Sequence, residues 1–166
     1  MHPVIEGCIR LHDDFGLRSE DVASVELTGH PLLRERADRP DVTTGRLAQV
    51  SAQHAIAIAL RRGKAGLVEF NDDAAAETLR DHIRPDVTFI DDASRAIEAV
   101  HMLVHTHQGQ THEVDISQAK GGPGNPMTDA ELEEKLVELA DYQGFNRDVR
   151  AIAEAVWSLD SARDAA

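Results

Sequence analysis

Between Lys120 and Glu131 three glycines (Gly121, Gly122, Gly124) and two prolines (Pro123, Pro126) fall within six positions, and no regular element can continue through them. The glycines open backbone angles closed to other residues, while the prolines fix φ and push Gly122 and Asn125 towards extended geometry. The result is a stiff, irregular loop. Directly after it, Thr128 offers a hydroxyl as N-cap and Glu131 can reach back to the amide of the cap, the capping-box arrangement. A helix is therefore expected from about Asp129. The loop divides the chain into a first part, residues 1–120, and a second, residues 121–166, made of the loop and two helices.

The chain has 166 residues, enough for one domain with a sizeable core or a small domain plus a docking element. Hydrophobic residues make up 42% and charged ones 28%, a globular balance. Aromatics reach only 4%, so Ala, Leu, Ile and Val must build the core. Thirty acidic residues against 17 basic ones give a formal charge of -13, which repels nucleic acid and anionic membrane surfaces. Neither is an expected partner. A small anionic substrate stays compatible, because local cations and helix N-termini can override the global field. Cys8 is the single cysteine, so no intrachain disulfide framework exists, and a reducing, cytoplasmic setting is the expectation. No apolar run approaches the roughly 20 residues of a membrane span, and the first residues lack the basic start of a secretory signal. Apolar periodicity begins almost at Met1, as in a helix taken from the middle of something larger.

Along the chain, residues from about 3 to 14 have helical spacing and end near Gly16. Val22, Val25 and Leu27, leading into Gly29, read as a short strand. Residues 30 to 42 read as a surface loop with one helical turn at Leu32 and Leu33. From Thr43 or Thr44 one long buried helix is expected to reach Arg62, with Gly63 as its C-cap. Asp72 and Asp73 can cap a helix running to about Ile83, and Val87 to Ile90 is a candidate strand. Residues 99–106 and 111–117 flank Gln108-Gly109 in the pattern of a β-hairpin. Leu132, Leu136, Leu139 and Ala140 mark one face of the helix after the loop. Val149, Ile152, Ala153, Val156, Trp157 and Leu159 mark a second helix, capped at about Asn146. The class is α+β: a small antiparallel sheet with helices packed on it, followed by a C-terminal helical extension.

Three segments resemble the MmgE/PrpD family, which includes 2-methylcitrate dehydratase, cis-aconitate decarboxylase and iminodisuccinate epimerase. The start from His2 to Gly7 is similar to the family's His-x-x-Ile-Asp-Ala helix start. Ser51 to His54, continuing to Gly63, resembles its Ser-x-x-Tyr/His helix. The loop from Lys120 to Thr128, with Glu131, Leu132 and Lys135, resembles its Gly-x-Pro-x-Asn-Pro-Met/Leu-Ser/Thr signature. The likeness is to the family's C-terminal part and covers nearly the whole chain. It implies a small α+β domain seated over an all-helical domain, with the active site in the cleft between them. The helical domain, absent from this sequence, supplies in the family an aspartate, histidines and lysines. One of those lysines lies just upstream of the position matched by His2.

The resemblance also implies an activity: proton transfer at carbon beside a carboxylate of a small polycarboxylate, by dehydration, decarboxylation or epimerisation, without metal or organic cofactor. A fragment of this kind is expected to be inactive alone and to need completion by a helical domain, with a homodimer or a separate helical chain as the expected assembly. Such chemistry needs a positioned acid or base and cationic groups around the carboxylates. His54 matches a position that faces substrate in the family, where an imidazole can donate or accept a proton. The alternative is a histidine that packs or caps inside an alanine-rich helix. His2 matches a histidine beside the cleft. Ser51, one turn before His54, is placed to contact a carboxylate, or to bond a carbonyl of its own helix.

His101, His105, His107 and His112 form a separate group. A two-residue turn at Gln108-Gly109 would oppose His105 and His112 across the hairpin and put His101 and His107 on the same face. Imidazoles so arranged can bind zinc or nickel. Without carboxylate or cysteine partners at ligand spacing, a solvated strand face is the simpler expectation, and no metal is assigned. The glycine loop lacks the Gly-Lys-Ser/Thr ending of a phosphate loop and reads as architectural. A non-catalytic interaction or oligomerisation domain using the apolar faces of the last helices is the second functional reading.

Overall fold

The computed structural model describes residues 1–145 and 148–161. Two compact units, Met1–Asn125 and Pro126–Ala166, make up the chain, so the glycine-proline loop up to Asn125 belongs to the first. None of the helices formed by the described residues is long and apolar enough to cross a membrane.

The first unit opens with α1 (His2–Phe15), which has Pro3 in its first turn and ends where Gly16 takes a left-handed φ of 65°. A 3-10 turn at Ser19–Asp21 leads into β1 (Val22–Gly29). Residues 31–37, expected to hold a single helical turn, form a full helix, α2 (Pro31–Ala37), because the His30 ring accepts from the Leu32 amide and Pro31 has φ already set. The long helix expected from Thr44 to Arg62 is interrupted. A short α3 (Gly45–Ala48) stops at Gln49, and Ser51, in extended geometry, caps α4 (Ala52–Arg62) by accepting from the His54 amide at 3.1 Å. A serine that caps in this way marks the start of a new helix. Gly63 closes α4 with φ 66°, as expected. Next come α5 (Asp72–Arg80), capped by Asn71 rather than by the aspartates after it, and β2 (Asp86–Asp91). The hairpin β3 (Val100–Thr106) and β4 (Thr111–Ile116) completes the unit.

The four strands form one sheet in the order β2-β1-β3-β4. The pairings β1–β3 and β3–β4 are antiparallel, whereas β1–β2 is parallel. That pairing follows from the intervening helices α2 to α5, which return the chain to the start of the sheet before β2 begins. The class is α+β. Alternating residues of β1 and β3 (Val25, Leu27, Val100, Met102, Val104) join Val4, Cys8 and Leu11 of α1 and Ile56, Ala59 and Leu60 of α4 in one buried cluster. Every residue of α4 from Ala52 to Leu60 is buried, which explains its run of alanines: small side chains let a helix sit among neighbours on all sides.

The turn of the hairpin decides where its histidines point. The Thr106 amide donates to Gln110 O at 2.9 Å and the Gly109 amide to Thr106 O at 3.0 Å, with Gly109 at φ 79°. The loop is therefore the three residues 107–109, ending in a left-handed glycine, instead of the two-residue turn expected. One added residue shifts the register so that His105 pairs with Thr111, and His112 pairs with Val104.

The second unit contains α6 (Asp129–Tyr142) and α7 (Val149–Trp157). The expected capping box is present: the Thr128 amide donates to the Glu131 carboxylate at 2.7 Å and the Glu131 amide to the Thr128 hydroxyl at 3.3 Å. Asn146, the expected cap of the second helix, lies outside the described residues; the Asp148 carboxylate accepts from the Arg150 and Ala151 amides. The Trp157 indole donates to Glu133 at 2.9 Å and so ties α7 to α6. Ile152, Val156, Trp157 and Leu159 are exposed.

Candidate functional site

His54 lies in the first turn of α4 with no solvent exposure. Its Nε2 is 2.8 Å from the Glu69 carbonyl oxygen and its Nδ1 is 3.0 Å from the Thr78 hydroxyl. The ring meets Phe70 edge-on, with centroids 5.3 Å apart. Both nitrogens are thus served from inside the protein, by the 3-10 turn Val68–Phe70 and by α5. Burial pulls its pKa below the ordinary imidazole value; the cations Arg84 and Arg62 act in the same direction, while the Glu69 carbonyl and Glu77 oppose them.

Ser51 is equally buried and bonds on two sides: its hydroxyl donates to Arg39 O at 2.7 Å and accepts from the His54 amide. Gln53 extends the same contact, accepting from the Arg39 amide and donating to Asp38. The start of α4 therefore grips residues 38–39. His2 is the exposed member of the three predicted residues, at the first position of α1. The structure brings Ser51 and His54 together on one helix turn.

Several partners of this cluster had no signal in the sequence. Glu69, 2% exposed, accepts from the Gly66 amide and pairs with Arg62 at 3.3 Å. Arg62 reaches Glu77 at 2.7 Å, and Arg61 bridges Glu77 and Asp81. Arg84 donates from Nε to the Thr78 hydroxyl and from its other nitrogens to Pro40 O, Val42 O and Ala75 O. Arg84 also lines a groove of about 320 Å³ with Glu20, Asp81, His82, Asp86 and His107, which none of the three predicted residues reaches. Only the place of His54 in an apolar helix hinted that its ring needs such partners, and no fixed spacing joins a histidine to a threonine 24 positions on.

The hairpin histidines separate. On the outer face His101 bonds the Glu113 carboxylate at 2.8 Å and His105 lies 3.5 Å from Glu26. His112 is on the opposite face, 4.9 Å from the Phe15 ring, because of the register shift. His107 is in the turn, its amide bonded to Asp21 O. No group of three or more metal-ligating side chains forms among the described residues.

The loop from Lys120 to Asn125 is held from both ends. Gln118 accepts from the Gly124 amide at 2.6 Å, and the Gly121 amide, at φ 90°, donates to Asn125 O at 2.7 Å. Glu6 of α1 accepts from the Lys120 amide and from the Asn125 side chain, so the first and third motifs of the sequence meet in space.

In comparisons with known proteins, the family model described as the MmgE/PrpD C-terminal domain matches residues 1–161. No curated protein matches the chain.

Proposed function

The chain belongs to the MmgE/PrpD C-terminal domain family, and from that membership we propose that it is the α+β part of a lyase or isomerase acting on small polycarboxylates. The proposed reaction is dehydration, decarboxylation or epimerisation by proton transfer beside a carboxylate. The observation that carries the reading is the reach of the family match, which takes in His2, Ser51, His54 and the whole loop from Lys120. In this reading His2, exposed at the start of α1, is the imidazole that reaches substrate. His54 and Ser51 set the start of α4, since both are buried and bonded internally.

Polycarboxylate chemistry needs free cationic groups. Arg61 and Arg62 are committed to carboxylates and Arg84 to backbone carbonyls, so these three arginines are not free to hold a polycarboxylate. The chain is accordingly proposed to be silent alone and to work with a helical domain, in the cytoplasm and as a dimer or with a second chain. The test is to incubate the purified chain with 2-methylcitrate, cis-aconitate or iminodisuccinate, with and without the helical domain of a family enzyme. No product from the chain alone and turnover in the mixture, reduced by His2→Ala, is the expected result. Turnover by the chain alone overturns the silent-fragment reading; none with any helical domain overturns the enzyme reading.

A non-catalytic docking role is favoured by one observation. In the second unit no residue of α6 is buried, and Val156 and Trp157 of α7 are 53% and 49% exposed. Light scattering with an apolar-surface dye tests it: a monodisperse monomer that binds no dye refutes it.

A further inference from the structure

The protons around His54 can be assigned by elimination. Nε2 faces the Glu69 carbonyl oxygen, which has no proton to give, so Nε2 must carry the hydrogen. In the neutral ring Nδ1 is then an acceptor, and among the described residues its partner is the Thr78 hydroxyl at 3.0 Å. Thr78 has one proton and two claimants for it, since the Ala75 carbonyl is 3.1 Å from the same oxygen. Arg84 resolves the competition in two ways. Its Nη2 donates to the Ala75 carbonyl at 3.1 Å, and its Nε donates to the Thr78 oxygen at 2.9 Å. The first satisfies the rival acceptor. The second occupies a lone pair of the hydroxyl and polarises its O–H bond, making it a stronger donor.

We infer that Arg84, acting through Thr78, is a positioning residue that fixes His54 as the neutral Nε2–H tautomer. A protonated His54 would have to donate from Nδ1 to an oxygen that already accepts from a guanidinium. The charged groups facing the ring are Arg84 beyond α5, Arg62 on α4 and Glu77 on α5, and the two cations oppose a third positive charge there. The same guanidinium holds the Pro40 and Val42 carbonyls at 2.7 and 2.9 Å. Residues 38–42 are thus pinned by Ser51 and Gln53 from one side and by Arg84 from the other. Resting on the proposed enzymatic reading, this means that His54 holds one protonation state while the reaction's pH profile is set by other groups.

Nitrogen-15 NMR of the imidazoles in the full chain tests the assignment and needs no turnover, so it is independent of whether the enzyme reading stands. The expected wild-type signature is one neutral tautomer with hydrogen on Nε2, less protonated at pH 6.5 than an ordinary imidazole. Thr78→Val is expected to move the Nδ1 resonance to the position of an unbonded ring nitrogen, and Thr78→Ser to leave it in place. Arg84→Gln is expected to raise the midpoint of His54. Thr78→Val retains the Arg84 contacts to Pro40, Val42 and Ala75, so it separates the latch from folding. An Nδ1–H tautomer in the wild type, or an Nδ1 resonance unmoved by Thr78→Val, overturns the inference.

Discussion

Glu6, in the second turn of α1, accepts a hydrogen bond from the Asn125 side-chain amide at 3.4 Å, across 119 positions of sequence. The same carboxylate accepts from the Lys120 amide and pairs with Arg10. One acidic side chain therefore closes the glycine-proline loop onto the first helix.

Glu6→Ala is expected to lower stability by about 1–2 kcal/mol, the usual cost of losing hydrogen bonds to a partly exposed carboxylate. Chemical denaturation reads the loss. Hydrogen exchange at the Lys120 amide should accelerate well before global unfolding, and an unchanged exchange rate would show that the loop holds itself without Glu6.

The lowered pKa of His54 makes stability depend on pH with a definite sign. The unfolded chain takes up its proton near pH 6.5 whereas the folded chain does so only at lower pH, so the unfolded state binds more protons in between. The contribution is fully present above about pH 6.5 and is lost as pH falls from there towards the folded value. Urea midpoints between pH 8 and 5 should fall for the wild type, and His54→Phe should flatten that slope. The lowered pKa values of Asp81, Asp91 and Asp92 act in a separate, more acidic window.

Cys8 is fully buried in the main core, where burial pushes its thiol pKa far above the usual range. It should resist thiol reagents in native buffer and react only as fast as the protein unfolds. Rapid native labelling would place Cys8 at a surface opening.

Gly45 approaches the chain between Phe70 and Asn71 so closely that an added Cβ would lie 2.4 Å from Phe70 O and 2.5 Å from the Asn71 carbonyl carbon. Backbone cannot swing aside as a side-chain tip can. Gly45→Ala is expected to cost at least about 2 kcal/mol, and the hydrogen bond that its amide donates to the Asp72 carboxylate should be lost with it. A calorimetric midpoint equal to the wild type would refute this.

The elements read most easily from sequence are those whose signals are local. Gly16 and Gly63 stop their helices where the sequence placed the ends, both in left-handed geometry, and Thr128 and Glu131 form their capping box. The break at Ser51 was harder to see, because a serine in an apolar helical pattern looks the same whether it caps or merely faces inward; the Arg39 carbonyl it bonds is a tertiary partner. The hairpin's existence was legible but its register was not. A glycine at the second or the third loop position gives the same composition, yet the choice sends His112 to the opposite face of the sheet.

By itself the sequence determined the α+β class, the ends of α1 and α4, the start of α6, and the family, because turn residues, caps and hydrophobic periods act within a few positions of themselves. The tertiary structure alone decided that β1 and β2 run parallel, that Glu6 clasps the loop at Asn125, and that His54 is enclosed by Glu69, Thr78 and Arg84. Those relationships join residues that share no spacing. They exist because the packed core leaves each buried donor and acceptor only the partners that folding happens to bring within reach.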